Sequence, residues 1–404
     1  MANLNLQLRK RSSHNLNLKI ALSLPKQIFI MQKLLLTLFL GLVLLHPSVA
    51  QDDEINTAGL VFLNYSGDLP ETIRSGKTVV MINTTKVLPD QQFGKSAEPM
   101  INEAHEVFTE AGIDVVGYYS SREVMAGRDS QYGFSEAWNK REIENIILIT
   151  KADFQQKKKE VTRYVILATT FNGKPSLFTN GQLAWKVQNK DFSKALDKLA
   201  GATNKYEKKN LLINEQPEYF DDVKMVYGEH VEGYLTDLDF GKLAVPKFKI
   251  IDIPNPKPSG LINNIVEKQA EESNALNTRN NQTLAEKMKS YGYEYELVDP
   301  SLTDEELSKQ GFSYVLLRLY APGIDIKRLL NYNVNEDKKS YTTQIFNNGR
   351  VTLRTIPANG LVYKYYIKHL RSGNIYLGPK WDADETWSDA LDHMLYNVRE
   401  EMKR

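Results

Sequence analysis

Apolar positions in this chain fall into short β-branched or aromatic runs, separated by stretches with helical spacing. Residues 77–85 (KTVVMINTT) predict a strand closed by polar turn formers. Ile101, Ala104, Phe108 and Ala111 recur every three or four positions and predict a helix that ends at Gly112. Strands follow at 113–119 and 146–149, with a short helix between them near 134–141. Residues 163–171 (RYVILATTF) predict a strand that turns at Asn172-Gly173, the dipeptide best suited to a hairpin. A second turn at Asn180-Gly181 leads to a strand at 183–187. Asp191 is placed to cap a helix whose apolar positions are Phe192, Ala195, Leu196 and Leu199.

After an irregular stretch at 204–246 the rhythm restarts. Residues 248–253 (FKIIDI) predict a strand, and the Pro-rich run 254–260 a stiff connector. A helix is expected over 261–291, with its Asn-rich middle (271–282) able to break it in two, and Gly292 ends it. Strands at 293–298 and 312–320 flank a short helix that starts at Thr303. A polar insertion covers 324–341. A strand at 361–369 turns at Ser372-Gly373, returns at 375–377 and feeds a last helix capped by Thr386.

The two halves share this order. Ala104, Phe108 and Gly112 match Leu284, Met288 and Gly292 at a constant offset of 180. Phe192, Ala195, Leu196, Asp197 and Leu199 match Trp387, Ala390, Leu391, Asp392 and Met394 at an offset of 195. The expected class is α+β, with two similar domains, each a mostly antiparallel sheet with helices packed on one face. The expected boundaries are 51–210 for the first domain, 211–260 for a junction that includes the first strand of the second, and 261–404 for the second.

The amino terminus changes what counts as folded protein. Residues 34–45 (LLLTLFLGLVLL) are an apolar run preceded by Lys33, and Ser48-Val49-Ala50 follow it. That is the form of a secretory signal with cleavage before Gln51, and the run is shorter than the ~20 residues of a permanent span. Met31 opens a signal of ordinary form by itself, so residues 1–30 are expected to be an over-extended start. Six of the 51 Lys and Arg and none of the 50 Asp and Glu lie in residues 1–50, so the mature chain carries a formal −5. A mildly acidic exported chain gains no general attraction to phosphate backbones, which argues against nucleic acid as a partner. The absence of cysteine excludes disulfides, thiol nucleophiles and a lipid-anchored amino terminus. The expected location is the periplasm or the outside of the cell.

Catalytic signatures are scarce. His105, His230, His369 and His393 form no helical zinc pair, and neither a nucleophile elbow nor a phosphate loop occurs. One polar cluster carries two readings: Asp382, Asp384, Glu385, Asp389, Asp392 and His393. Asp-x-Asp on a loop suits a hard cation such as calcium, although the EF-hand glycine and final glutamate are missing. The simpler reading is a helix cap, in which Thr386 and the acids favour the positive end of the last helix. Trp381, beside Pro379, is the aromatic residue best placed to face a ligand, and Trp381, Asp382 and Asp384 are the candidate binding residues. No metal and no cofactor is expected.

Three stretches resemble a known pattern: YGYEYELVD at 291–299, FSYVLL at 312–317 and IKHLRSGNIY at 367–376. They resemble the TolB amino-terminal domain and curli-secretion-lipoprotein type of exported bacterial protein, without the lipid-attachment cysteine. The ending GPKWDADETW at 378–387 is similar to exported proteins of Bacteroidota-type bacteria. The resemblance implies an envelope domain that works through protein–protein contacts with an envelope or outer-membrane protein, without catalysis, and it transfers no site residue. The alternatives are a secreted hydrolase or glycan-active protein using Asp382, Asp384 and His393, and a carbohydrate- or peptide-binding module on the tyrosine-rich sheets.

Overall fold

A computed structural model describes residues 63–403, apart from 67, 85–92, 157–158, 180, 211, 220–227, 232, 235, 252–260, 335–338 and 348–349. The expected signal segment, its cleavage site before Gln51 and the start at Met31 lie outside the described residues. All described residues belong to one compact unit.

The chain is α+β. Its first half contains β1 (Asn64–Ser66), β2 (Lys77–Thr84), α1 (Phe93–Ala111), β3 (Asp114–Ser120), α2 (Ser121–Val124) and α3 (Arg128–Lys140). It continues with β4 (Ile143–Gln156), β5 (Lys159–Thr170), β6 (Leu183–Asn189) and α4 (Phe192–Thr203). The second half contains β7 (His230–Val231), β8 (Leu243–Pro246), α5 (Leu261–Met288), β9 (Tyr295–Val298), α6 (Asp304–Lys309), β10 (Tyr314–Pro322) and α7 (Gly323–Leu329). It ends with β11 (Ser340–Asn347), β12 (Arg350–Pro357), β13 (Leu361–His369), β14 (Ile375–Tyr376) and α8 (Trp387–Met402).

Each half builds a six-stranded sheet, and the strand order is the same in both: β1-β6-β5-β4-β2-β3 and β7-β14-β13-β10-β8-β9. The pairing sense also matches. β1·β6, β4·β2 and β2·β3 are parallel, as are β7·β14, β10·β8 and β8·β9. β4·β5·β6 and β10·β13·β14 are antiparallel. The sheets are therefore mixed, and the antiparallel pairing expected for most of each sheet is confined to those runs. The α1 crossover joins β2 to β3 as parallel neighbours, and α5 does the same for β8 and β9.

The central strands are buried on both faces, which is why they read as continuous apolar runs. Val80, Ile82, Ile147 and Ile149 face α1 and α4. The matching outer face of the second sheet packs on Leu284, Met288, Leu391 and Met394 of α5 and α8. The opposite faces meet in one continuous core, where Val79, Met81, Ile146 and Leu148 join Val315, Leu317, Leu319 and Tyr366. Phe134 and Trp138 of α3 belong to this shared core, so helices lie on both faces of the first sheet rather than one. The backbones of the halves come close at Ala126-Gly127. Tyr320 N donates to Ala126 O at 2.7 Å, and a Cβ on Gly127 would lie 2.5 Å from Arg318 O.

Four expectations change. Residues 248–251 form no strand; asparagines of α5 hold them instead. Asn281 accepts from Phe248 N and donates to Phe248 O, Asn274 does the same at Ile251, and Asn277 donates to Lys249 O. Positions 274, 277 and 281 share one helical face, so the Asn-rich stretch expected to break α5 serves as its binding edge, and the helix runs unbroken. Asn172-Gly173 sits in the loop between β5 and β6 rather than forming a tight hairpin. The polar insertion contains most of α7 and opens a hairpin, β11–β12, with no counterpart among the described residues of the first half. Asn281→Ala is expected to strip both backbone groups of Phe248 and to cost about 1–3 kcal/mol, measured by chemical denaturation.

Candidate functional site

The candidate residues lie between β14 and α8, where the chain crosses the base of the β11–β12 hairpin. Thr386 caps α8 by accepting from Asp389 N at 3.1 Å. The caps Asp191 and Thr386 keep the offset of 195, and Gly112 and Gly292 both take positive φ, 80° and 84°, after their helices.

Asp382 is 1% exposed. Its partner is Lys364, which sits in the middle of β13 and is fully buried. The Lys364 ammonium lies 2.5 Å from Asp382 Oδ1 and donates to Leu377 O at 2.8 Å. Asn397 of α8 donates to Asp382 Oδ2 at 2.8 Å. Both carboxylate oxygens are thus engaged.

Asp384 is equally occupied. Arg354 of β12 and Glu385 N donate to its Oδ1 at 2.7 and 2.6 Å, and His393 Nε2 lies 3.1 Å from Oδ2. Phe346 N donates to His393 Nδ1 at 2.9 Å, which places the ring proton on Nε2, facing Asp384. Burial works against the Asp384 charge, but the His393 hydrogen bond and the Arg354 guanidinium outweigh it and hold the carboxyl below its usual range. A depressed carboxyl pKa adds stability above the unfolded value, about 3.9, and that contribution is lost as pH falls through the folded value.

The backbone completes the corner. Tyr363 and Asp384 exchange N–H···O bonds, Gln344 N donates to Trp381 O at 2.8 Å, and Thr343 Oγ1 donates to Ala383 O at 2.7 Å. Four elements, β11, β12, β13 and α8, are therefore tied together through Asp382 and Asp384. Among the described residues no three His, Asp or Glu side chains converge in a way that could hold a metal ion.

Trp381 is half-buried. It packs against Tyr332 and Tyr341, with the Lys327 ammonium 3.9 Å from its ring centroid. The other histidines also have internal partners: His105 meets Tyr118 Oη and Asn214 O, His230 meets Leu330 O, and His369 meets Ser372 Oγ in its own turn.

A second buried ionic cluster joins the two halves. Lys368 of β13 lies 3.1 Å from Asp129 of α3 and 2.9 Å from Asp304 of α6. Arg128 reaches Asp304 at 2.6 Å, and Tyr366 Oη donates to Asp129 at 3.2 Å. Burial raises the Asp129 pKa against the pull of Lys368. Burial also opposes the Lys368 charge, yet Asp129 and Asp304 outweigh it and raise the Lys368 pKa.

Sequence reasoning missed Lys364, Arg354, Lys327, Tyr332 and Tyr341. The available signal for Lys364 was one lysine within the apolar run LVYKYYI. No protein-family model matches the chain, and no curated protein matches it.

Proposed function

We propose that the chain is an exported, non-catalytic protein, built from two copies of one sheet-and-helix plan, that holds another protein in the envelope or outside the cell. The observation that carries this reading is the β11–β12 hairpin. It interrupts the match between the halves, and β12 forms the edge of a two-stranded sheet. Val351 and Leu353 on β12 are 44% and 73% exposed. An open edge offers backbone N–H and C=O groups that only another extended strand can satisfy in register. The occupant is therefore a strand of the partner, added alongside β12. The corner below supports the same reading. Asp384, His393 and Trp381 O anchor the hairpin, so its edge is pre-organised and loses little freedom on binding. A hydrolase built on Asp382 and Asp384 would need a carboxylate free to act, and both are engaged in ion pairs.

Duplication is supported by the shared strand order, the shared pairing sense and the matched helix ends. Export rests on the sequence of residues 33–50. Mass spectrometry of the protein recovered from cells should find Gln51 as the first residue; a chain that retains residues 31–50 would overturn export with cleavage.

The interaction is tested with the mature chain as bait in an envelope extract. Val351→Lys with Leu353→Lys should abolish capture of the partner while changing stability by only about 0.5 kcal/mol, since both sites are exposed. Undiminished capture by this variant, or turnover of a glycan panel by the unaltered chain, would contradict the proposal.

A further inference from the structure

The Lys327 ammonium lies 3.9 Å from the Trp381 ring centroid, 4.7 Å from that of Tyr341 and 4.8 Å from that of Tyr332. The three rings come from separate places in the chain: the segment after β14, the start of β11 and the stretch after α7. Trp381 and Tyr332 meet at 90° with centroids 5.4 Å apart, and Trp381 and Tyr341 at 58° and 6.4 Å. Rings set this steeply around one point make a box, not a stack. Each face presents the negative part of its quadrupole to the enclosed cation.

This arrangement stands apart from the other cation–ring contacts. Elsewhere among the described residues a cation lies over a single described ring, as in Lys186 with Tyr65, Lys205 with Tyr206, Lys242 with Phe312 and Arg318 with Phe248. A surface lysine ordinarily extends its ammonium into water. Lys327 instead turns into the box, although Lys327, Trp381 and Tyr332 are all only partly buried. The walls are set in advance. Trp381 O accepts from Gln344 N, and the neighbouring Asp382 is locked to Lys364. Tyr341 is the second residue of β11, is paired with Ile356 of β12 and is 9% exposed.

We propose that Trp381, Tyr332 and Tyr341 form a binding site for alkylammonium groups, and that Lys327 is its internal occupant, displaced when an outside ammonium enters. The exchange is charge-neutral and non-covalent: one ammonium leaves the box for water and another takes its place. It goes beyond the hairpin reading and does not depend on it. The tethered lysine lowers the apparent affinity for an outside cation in proportion to the time it fills the box.

The test uses the full mature chain and n-butylammonium, a copy of the lysine side chain, with n-butanol as the uncharged control. Calorimetric titration should show binding to Lys327→Ala about tenfold tighter than to the unaltered chain. Adding Trp381→Ala should remove that gain, and n-butanol should bind neither form. A Lys327→Ala chain that unfolds cooperatively yet binds n-butylammonium no more tightly would overturn the proposal, as would a gain that survives Trp381→Ala. A second readout needs no variant. Reductive methylation with carbon-13 labels every lysine, and ring currents should shift the Lys327 methyl signal upfield. n-Butylammonium should return that signal towards the solvent-exposed position; a signal unmoved at concentrations that fill the Lys327→Ala box would equally overturn the proposal.

Discussion

Asp382→Asn is expected to destabilise the protein by about 3–5 kcal/mol, read as a lower denaturation midpoint with an unchanged slope. The substitution leaves the Lys364 ammonium, fully buried, without a counter-charge. It also disturbs a donor–acceptor order. Asn397 donates to Asp382 while its own Oδ1 accepts from Gln344 Nε2, so an amide at 382 turns a donor towards a donor. Replacing both partners, Lys364→Met with Asp382→Leu, should recover most of the loss, because two apolar residues remove the buried charges together. A catalytic carboxylate behaves in the opposite way: its removal abolishes turnover and leaves stability equal or improved.

The second large effect is expected at the contact between the halves. Lys368→Met strips Asp129 of its ammonium inside the protein and should cost about 3–5 kcal/mol near neutral pH. Its pH dependence follows from the directions of the two shifts. Asp129 has a raised carboxyl pKa, so between the unfolded value, about 3.9, and the folded value the native state holds the extra proton and stability falls as pH rises. Without Lys368 the folded value rises further, and the deficit of the variant should shrink as the solution is acidified. The raised Lys368 pKa acts at the other end. Its contribution is complete below the unfolded lysine value, about 10.4, and is lost as pH rises through the folded value. The unaltered chain should therefore lose stability at alkaline pH where the variant does not. Parallel denaturation curves across pH check both limbs.

Much of the fold is legible in the sequence wherever the periodicity is local. The offset of 195 between Phe192 and Trp387 reappears as two capped helices, and the offset of 180 as two helices closed by left-handed glycines. The apolar run 312–320 and the helix start at Thr303 appear as β10 and as α6, whose start is a capping box of Thr303 and Glu306. Pairing sense was not legible, since a strand pattern does not state which neighbour it joins. Residues 248–251 show the limit: an apolar, β-branched run takes its hydrogen bonds from helix side chains, and nothing local distinguishes that from a sheet. The β11–β12 hairpin left a usable mark, Asn348-Gly349 between two β-branched runs.

The candidate site was half legible. The charges of the corner are visible in the sequence, but their partners are not. Lys364 and Asp382 are brought together by the β13–β14 register and the return of the chain to α8. Asp384 meets Arg354 only because the inserted hairpin folds back over the corner. Trp381, beside Pro379, is partly exposed, but its surroundings, Lys327, Tyr332 and Tyr341, all lie within 324–341, where the sequence shows only a polar insertion.

The central claim is that Asp382 and Asp384 form an internal lock beneath a presented strand edge. Thermal unfolding of the mature chain during a calcium titration tests it most directly. The lock predicts the same melting temperature at every calcium concentration, because each carboxylate oxygen already has its partner. A large rise in melting temperature with calcium, absent when Asp382 and Asp384 are both replaced by Asn, would contradict it.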